Sequence, residues 1–278
     1  MAAKILDGKA LAQFLSERLE ERLTAKSLSP TLVIYRIGND PASAVYVRNK
    51  VRAAEKVGIY TIVREYDEDA MPYAVKHQIA EDAQNPNRHG IMIQLPLPQG
   101  WRERELIELI PPEKDVDGLT YTNMGRVHDH TAFHNPCTAQ GIITLLHSHG
   151  IDLAGKHVVV VGRSEIVGKP FALLALTQNA TVTICHSHTQ DLAAMTKQAD
   201  ILVVAVGKPG LITSDMVKPG AVVVDVGINR LENGKLCGDV DFNGVSEVAE
   251  WISPVPGGVG PMTVAVLMQN TYNATRYI

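Results

Sequence analysis

The chain of 278 residues is 45% hydrophobic and 20% charged, with a formal net charge of −4. That is enough apolar material for one large or two modest folded domains, and it lacks the bias of a disordered chain. The balance excludes a broad basic field for holding nucleic acid, and no apolar run approaches the ~20 residues that span a bilayer. Three cysteines, Cys137, Cys185 and Cys237, lie far apart without CxxC spacing, which fits small thiols in a reducing compartment better than a disulfide framework. With no apolar stretch of signal-peptide length near the start, a soluble cytoplasmic protein is expected.

In chain order, Asp7 is placed to cap a helix reaching about Lys26, with Leu11, Phe14, Leu15, Leu19 and Leu23 as its apolar stripe. Thr31–Ile37 has strand pattern. Asp40-Pro41 then combines an N-cap with a proline at the first helical position, predicting a helix to about Val57 that stops at Gly58. A strand over Ile59–Glu65, a helix over Ala70–Ala83, a strand over Gly90–Leu95 and a short helix over Arg102–Ile110 follow. Pro136 opens a further helix to about His149. Beyond it, strands are expected at Lys156–Val161, Thr181–Cys185, Ile201–Val206 and Ala221–Val226, separated by helix-compatible segments, with a last helix over Thr263–Thr275. Alternation of this kind predicts an α/β protein. Two α/β domains are expected with a cleft between them, the C-terminal one a Rossmann-like doubly wound parallel sheet. The expected division is 1–139 plus 268–278 for one domain and 140–267 for the other.

The first strand of the second half ends in Gly162-Arg163-Ser164-Glu165-Ile166-Val167-Gly168. Gly162 permits a tight turn, and the helix that follows offers N–H groups and its positive dipole end to a phosphate. An NAD enzyme places an acid at the end of the next strand to bind the ribose 2′-hydroxyl. Here the chain reads Cys185-His186-Ser187-His188-Thr189. Without a carboxylate to repel a 2′-phosphate, and with Arg163 and Ser187 able to bind one, NADP is the expected nucleotide. His188 is the nearest basic group, its charge depending on pH.

Several further motifs occur in order: Gly38-Asn39-Asp40-Pro41-Ala42-Ser43, Tyr46-Val47-Arg48-Asn49-Lys50, Gln94-Leu95-Pro96-Leu97-Pro98, Pro111 through Leu119, and Pro254 through Thr263. Together with Gly162-Arg163-Ser164 they make the chain resemble, over nearly its whole length, the bifunctional methylenetetrahydrofolate dehydrogenase/methenyltetrahydrofolate cyclohydrolase family. The resemblance implies NADP-dependent oxidation of methylenetetrahydrofolate and hydrolysis of the methenyl product to 10-formyltetrahydrofolate. These are reactions of one-carbon metabolism that serve purine biosynthesis. It also implies a homodimer and a folate-binding catalytic domain beside an NADP-binding one.

Tyr46 and Lys50, four apart on one helix face, offer a ring for stacking and an amine for proton transfer. By resemblance Lys50 is the catalytic lysine of the cyclohydrolase step, an amine whose pKa must be depressed to act as a base. Gln94, at a strand end, is placed to hold Lys50 or to polarise the folate. Asp117 matches the acid that grips the pterin, since an ionised carboxylate accepts from a donor pair; Asp115 is the less favoured acid and could simply make a turn. Tyr46, Lys50, Gln94 and Asp117 therefore form the expected catalytic and substrate-binding set. Pro256, Gly257 and Gly258 allow close backbone approach to the substrate, and Ile228 and Thr263 are expected to line the cofactor. No metal site is expected: His128, His130, His134, His147, His149, His186 and His188 lack zinc spacing and read as loop or surface residues. Two rivals are a different NADP oxidoreductase of similar architecture, acting on shikimate or an amino acid, and a non-catalytic NADP- or folate-binding module. The Tyr46, Lys50, Gln94 and Asp117 set speaks against both.

Overall fold

A computed structural model describes residues 2–231 and 233–277. In chain order these form β1 (Lys4–Ile5), α1 (Gly8–Ala25), β2 (Thr31–Ile37), α2 (Pro41–Val57), β3 (Tyr60–Tyr66), α3 (Pro72–Gln84), β4 (Gly90–Ile93), α4 (Glu103–Ile107), α5 (Tyr121–Arg126) and α6 (Cys137–Ser148). There follow β5 (His157–Val161), α7 (Gly168–Thr177), β6 (Thr181–Cys185), α8 (Leu192–Thr196), β7 (Ile201–Val204), β8 (Val222–Asp225), β9 (Asn229–Arg230), β10 (Leu236–Cys237), α9 (Phe242–Ser246), β11 (Trp251–Ile252) and α10 (Val259–Ala274).

The chain divides into two compact units. One holds Gln13–Arg126, Thr131–Cys137 and residues 264–277; the other holds residues 2–12, Val127–His130 and Thr138–Thr263. Against the division expected from sequence, residues 2–12 join the second unit, because β1 pairs in parallel with β11. Helices α1 and α10 each contribute residues to both units.

The first unit is built on a three-stranded parallel sheet ordered β3-β2-β4. Central β2 is apolar on both faces, and all its residues but Arg36 are buried, as a strand covered on both sides requires. One face packs Leu32, Ile34, Val47, Ala54 and Met92 with Leu267 of α10; the other packs Val33, Tyr35, Ile79, Ile91 and Leu106. The α2 signals behave as expected: the Asp40 carboxylate accepts from the Ser43 N–H at 2.7 Å, and Gly58 takes the left-handed φ of +84° that ends the helix. In the α1 stripe Leu19 and Leu23 are buried, whereas Phe14 is 52% exposed, its ring lying under the Arg18 guanidinium.

Among the buried apolar residues of this unit lies one polar cluster. The Tyr35 hydroxyl donates to Asp82 at 2.6 Å, Arg64 donates to both Asp82 oxygens at 3.2 Å, and Arg88 lies 3.5 Å from the same carboxylate. Burial works to raise the Asp82 pKa, but the hydrogen bonds from Arg64 and Tyr35 outweigh it and hold it below the usual carboxylate value.

The second unit carries a six-stranded sheet ordered β1-β11-β8-β7-β5-β6, parallel throughout. Strand order reverses at β5, whose neighbours are β6 and β7, so the topological switch point lies between β5 and β7. Strands β5, β7 and β8 are near-continuous Val, Ile and Leu, buried almost throughout. A small antiparallel pair, β9 and β10, follows β8.

The Tyr35, Arg64, Arg88 and Asp82 cluster generates a stability prediction. Asp82→Asn leaves the buried Tyr35 hydroxyl and the half-buried Arg64 and Arg88 guanidinium groups without their charged acceptor and should cost about 2–3 kcal/mol at neutral pH in urea unfolding. Because the folded pKa lies below the unfolded one, the difference should shrink as pH falls through the carboxylate range. Equal stability at pH 7 would refute the cluster's contribution.

Candidate active site and nucleotide edge

The candidate site of the first unit begins with the register of α2. Its buried row runs Ser43, Val47, Ala54 and Val57, and helical spacing places Lys50 in that row, between Val47 and Ala54. Burial pushes the Lys50 amine below the usual lysine pKa, against the opposing pull of Asp117 and Cys137. Its Nζ donates to Gln94 Oε1 at 2.8 Å, and Gln94 Nε2 donates to the Leu95 carbonyl at 2.7 Å. Gln94 sits one residue past β4, at the carboxyl end of a parallel strand, with its own N–H bonded to the Tyr35 carbonyl. The Leu95–Pro96 peptide that follows is cis. Tyr46, one turn before Lys50, is 40% exposed, leaving the ring free for stacking.

Asp117 completes the charge arrangement. Burial raises its pKa, Lys50 pulls it down, and Asp115 pushes it up again. Neighbouring Asp115 is spent on its own turn: its carboxylate accepts from the Gly118 and Thr120 N–H groups and from Asn123 Nδ2. Gly118 (φ +74°) is held there because a Cβ would collide with the backbone of Asn135 and Pro136. The second acid is thus structural, as its turn-forming sequence allowed.

Three residues near this site were given no site role from sequence. Cys137, 1% exposed, donates its thiol to the Val116 carbonyl at 3.2 Å. Burial pushes that thiol well up, and the Asp117 charge adds to the effect. Asn270 of α10 donates to the Val116 carbonyl at 2.9 Å, fixing the same segment. Ser43 is 4% exposed, and its hydroxyl has no hydrogen-bond partner among the described residues. This hydroxyl lies in the Lys50 row beside the Asp40 cap, and a buried hydroxyl calls for a partner that water or a ligand atom would supply. Its only sequence signal was the helical spacing from Lys50.

In the second unit Gly162, Arg163 and Ser164 follow the carboxyl end of β5, Ser187 that of β6 and Ile228 that of β8, whereas Thr263 lies on α10. Gly162 has φ +125°, and a Cβ there would collide with the Ala205 carbonyl beyond β7. Its N–H donates to the Cys185 carbonyl at the end of β6, 2.9 Å away. The turn is therefore pinned between the strand ends on either side of β5. Arg163 and Ser187 are both exposed. Ser164 Oγ accepts from the Val167 and Gly168 N–H groups at 3.2 and 3.4 Å. Those two amides are thus occupied rather than free for a phosphate, although the hydroxyl hydrogen can still be donated. Ile228 is 44% exposed and lies beside Gly260. Thr263 Oγ1 bonds Thr138 Oγ1 at 3.2 Å. The loop through Pro256, Gly257 and Gly258 is closed by Gly258 N–H to the Pro254 carbonyl and tied to Lys9 through the Gly257 carbonyl, both at 2.8 Å.

One histidine departs from expectation. His134 is 2% exposed, and its Nε2 lies 2.8 Å from the Glu113 carbonyl, so it is a core residue. Among the described residues no group of three or more His, Cys, Asp or Glu is placed to hold a metal ion, and no helix is long and apolar enough to cross a membrane.

Residues 6–117 match the catalytic-domain model of tetrahydrofolate dehydrogenase/cyclohydrolase, and residues 136–278 match its NAD(P)-binding-domain model. The bifunctional protein FolD of Bordetella avium is 52% identical over 277 residues, covering 99% of this chain and 98% of that one. The structure of bifunctional FolD methylenetetrahydrofolate dehydrogenase/cyclohydrolase from Campylobacter jejuni superimposes with a TM-score of 0.96 at 43% identity, covering 100% of both chains. The Trypanosoma brucei enzyme, solved with NADP and an inhibitor, gives 0.96 at 35% identity, covering 100% of this chain and 98% of its own. With both halves matched in order and relatives at this identity over the full length, the chain belongs to the tetrahydrofolate dehydrogenase/cyclohydrolase family.

Proposed function

We propose that this chain is a bifunctional enzyme that oxidises 5,10-methylenetetrahydrofolate with NADP and hydrolyses the 5,10-methenyl product to 10-formyltetrahydrofolate. The observation that carries the reading is the desolvated amine of half-buried Lys50, held by Gln94 at 2.8 Å and within the electrostatic reach of Asp117.

A desolvated amine with a lowered pKa is a competent general base near neutral pH. In the cyclohydrolase step water adds to the electrophilic methenyl carbon as Lys50 accepts its proton. The C–N5 bond then breaks as the carbinol hydroxyl releases its proton to solvent and becomes the formyl C=O; N5 takes the proton held by Lys50, and the formyl group remains on N10. Gln94 fixes the direction of the amine. Asp117 accepts from the donor edge of the pterin, Tyr46 stacks against the ring, and Ser43 offers its hydroxyl to a polar atom of the substrate.

The nucleotide fits the second unit on its own geometry: the glycine turn lies at the switch point with Arg163 exposed in it, and Ser187 is exposed just past β6, where an NAD enzyme would carry an acid. Bound NADP supplies the hydride acceptor. Arg163 and Ser187 would hold its 2′-phosphate, Gly162 and Ser164 would admit the pyrophosphate, and Ile228 and Thr263 would bound the remainder. Pro256, Gly257 and Gly258 present backbone that a ligand can approach closely. The folate nitrogen lone pair drives hydride departure, so this half-reaction asks the protein for orientation more than for a base.

We also infer a homodimer and a cytoplasmic location. Among the described residues strand β3 pairs only with β2, which leaves a seven-residue edge of the kind that a second copy covers.

Lys50→Met should lower cyclohydrolase turnover by about 10²–10⁴-fold and reduce the dehydrogenase far less; equal loss of both would contradict the assignment of the base. Cyclohydrolase rate should rise with pH along a curve whose midpoint lies below that of an ordinary lysine, and the curve should vanish in the same variant. Ser187→Asp should lower kcat/KM for NADP by about tenfold or more and raise it for NAD, and an unchanged ratio would remove Ser187 from the phosphate site. Light scattering should return twice the mass of one chain, whereas a monomer at micromolar concentration would exclude the dimer.

A further inference from the structure

Two buried acids at the carboxyl edge of the second unit have no part in the chemistry above. Asp239 is fully buried and Asp225 is 4% exposed. Neither has a cationic partner among the ion pairs of the described residues. Their partners are backbone. Asp239 Oδ2 accepts from the Val206 and Gly207 N–H groups at 2.7 and 2.9 Å, and Oδ1 accepts from the Lys208 N–H at 2.7 Å and Asn229 Nδ2 at 2.9 Å. Four donors thus converge on one carboxylate, filling the acceptor capacity of an ionised acid. Three of them belong to the loop after β7, and the fourth belongs to the segment after β8.

Asp225 in turn holds Asp239 in place. Its oxygens accept from the Gly227 and Asp239 N–H groups at 3.0 Å and from the Val240 N–H at 2.9 Å. Both contact regions exclude side chains. A Cβ at Gly227 would strike the Asp239 carboxyl, and one at Gly238 would strike the Asp225 carboxyl. The β9–β10 hairpin is the device that brings Asp239 back to the sheet edge.

These loops are the ones that shape the nucleotide edge. Gly162 abuts the Ala205 carbonyl and lies near Val206, one residue before the amides that Asp239 gathers. Ile228 directly precedes Asn229. We infer that Asp239 is a positioning residue for the nucleotide, fixing the post-β7 loop against the Gly162 turn and the post-β8 segment that carries Ile228. The inference rests on the reading of this unit as the NADP site, and it adds a residue that touches neither substrate nor nucleotide.

The bifunctional enzyme offers its own control, because cyclohydrolase turnover can be measured on methenyltetrahydrofolate with no nucleotide present. Asp239→Asn replaces an acceptor by a donor facing amide N–H groups. It should raise the KM for NADP and the Kd for NADPH, read by fluorescence titration, by about tenfold, with cyclohydrolase turnover within about twofold of native. Asn229→Ala removes one side-chain bond and no buried charge. It should fold as native and raise the same constants by about threefold, which keeps the test decisive if the first variant is unstable. Unchanged NADP constants in folded Asn229→Ala and Asp239→Asn, or a parallel fall of both activities without loss of nucleotide affinity, would overturn the positioning role. Native protein that fails to bind NADPH would instead refute the NADP reading itself.

Discussion

A lysine ammonium is costly to remove from water unless something receives its hydrogens, and the catalytic reading of the first unit depends on how that cost is met. Lys50 lies in the packed row of α2, between Val47 and the Ala54 and Val57 that seat the helix on the sheet. Placed there, the amine finds one neutral acceptor, the Gln94 carbonyl oxygen, together with the attraction of Asp117. A neutral amide orients the amine without stabilising its charged form as strongly as a carboxylate in contact would. The packing of α2 on the sheet is therefore also the means of tuning the base. Shifting that helix by one residue would swing the amine off the buried face.

The second unit solves a different problem, which is to bring backbone close to a polyanion without side chains in the way. Its solution is steric. Gly162 lies against the Ala205 carbonyl with no room for a methyl group, and Gly227 and Gly238 close in on two carboxylates. Buried acids serve here as hubs for backbone amides, so loops that would otherwise be mobile are tied to the sheet at several points. The first unit tunes a proton through burial, and the second shapes a surface through close approach.

Much of this was legible in the residues, and the reasons differ by element. Asp40-Pro41 and Gly58 bracket α2 because capping is local chemistry, and β6 has the predicted bounds, Thr181–Cys185, because its alternation is bounded by turn residues. Strands β1 and β11 escaped notice because two residues carry no periodicity; they exist only through pairing with each other and with β8. The β9–β10 hairpin was missed likewise. Lys50 and Gln94 could be named from their motifs, but their mutual hydrogen bond joins residues 44 positions apart and follows only from the sheet. Cys137 lay in view as an ordinary buried thiol, and nothing local signals that it faces Asp117. Phe14 and His134 exchange their expected places, outside and inside, because tertiary packing overrides a single residue's hydropathy.

Residues 2–12 belong to the nucleotide-side unit although they precede the whole folate-side unit, and α1 and α10 are each shared. No single scission of the chain therefore yields either unit intact. A fragment starting at the second family-model boundary would lack β1 and expose the flank of β11. Evolution of either half, by fusion or exchange, would have to carry three separated stretches of the chain together.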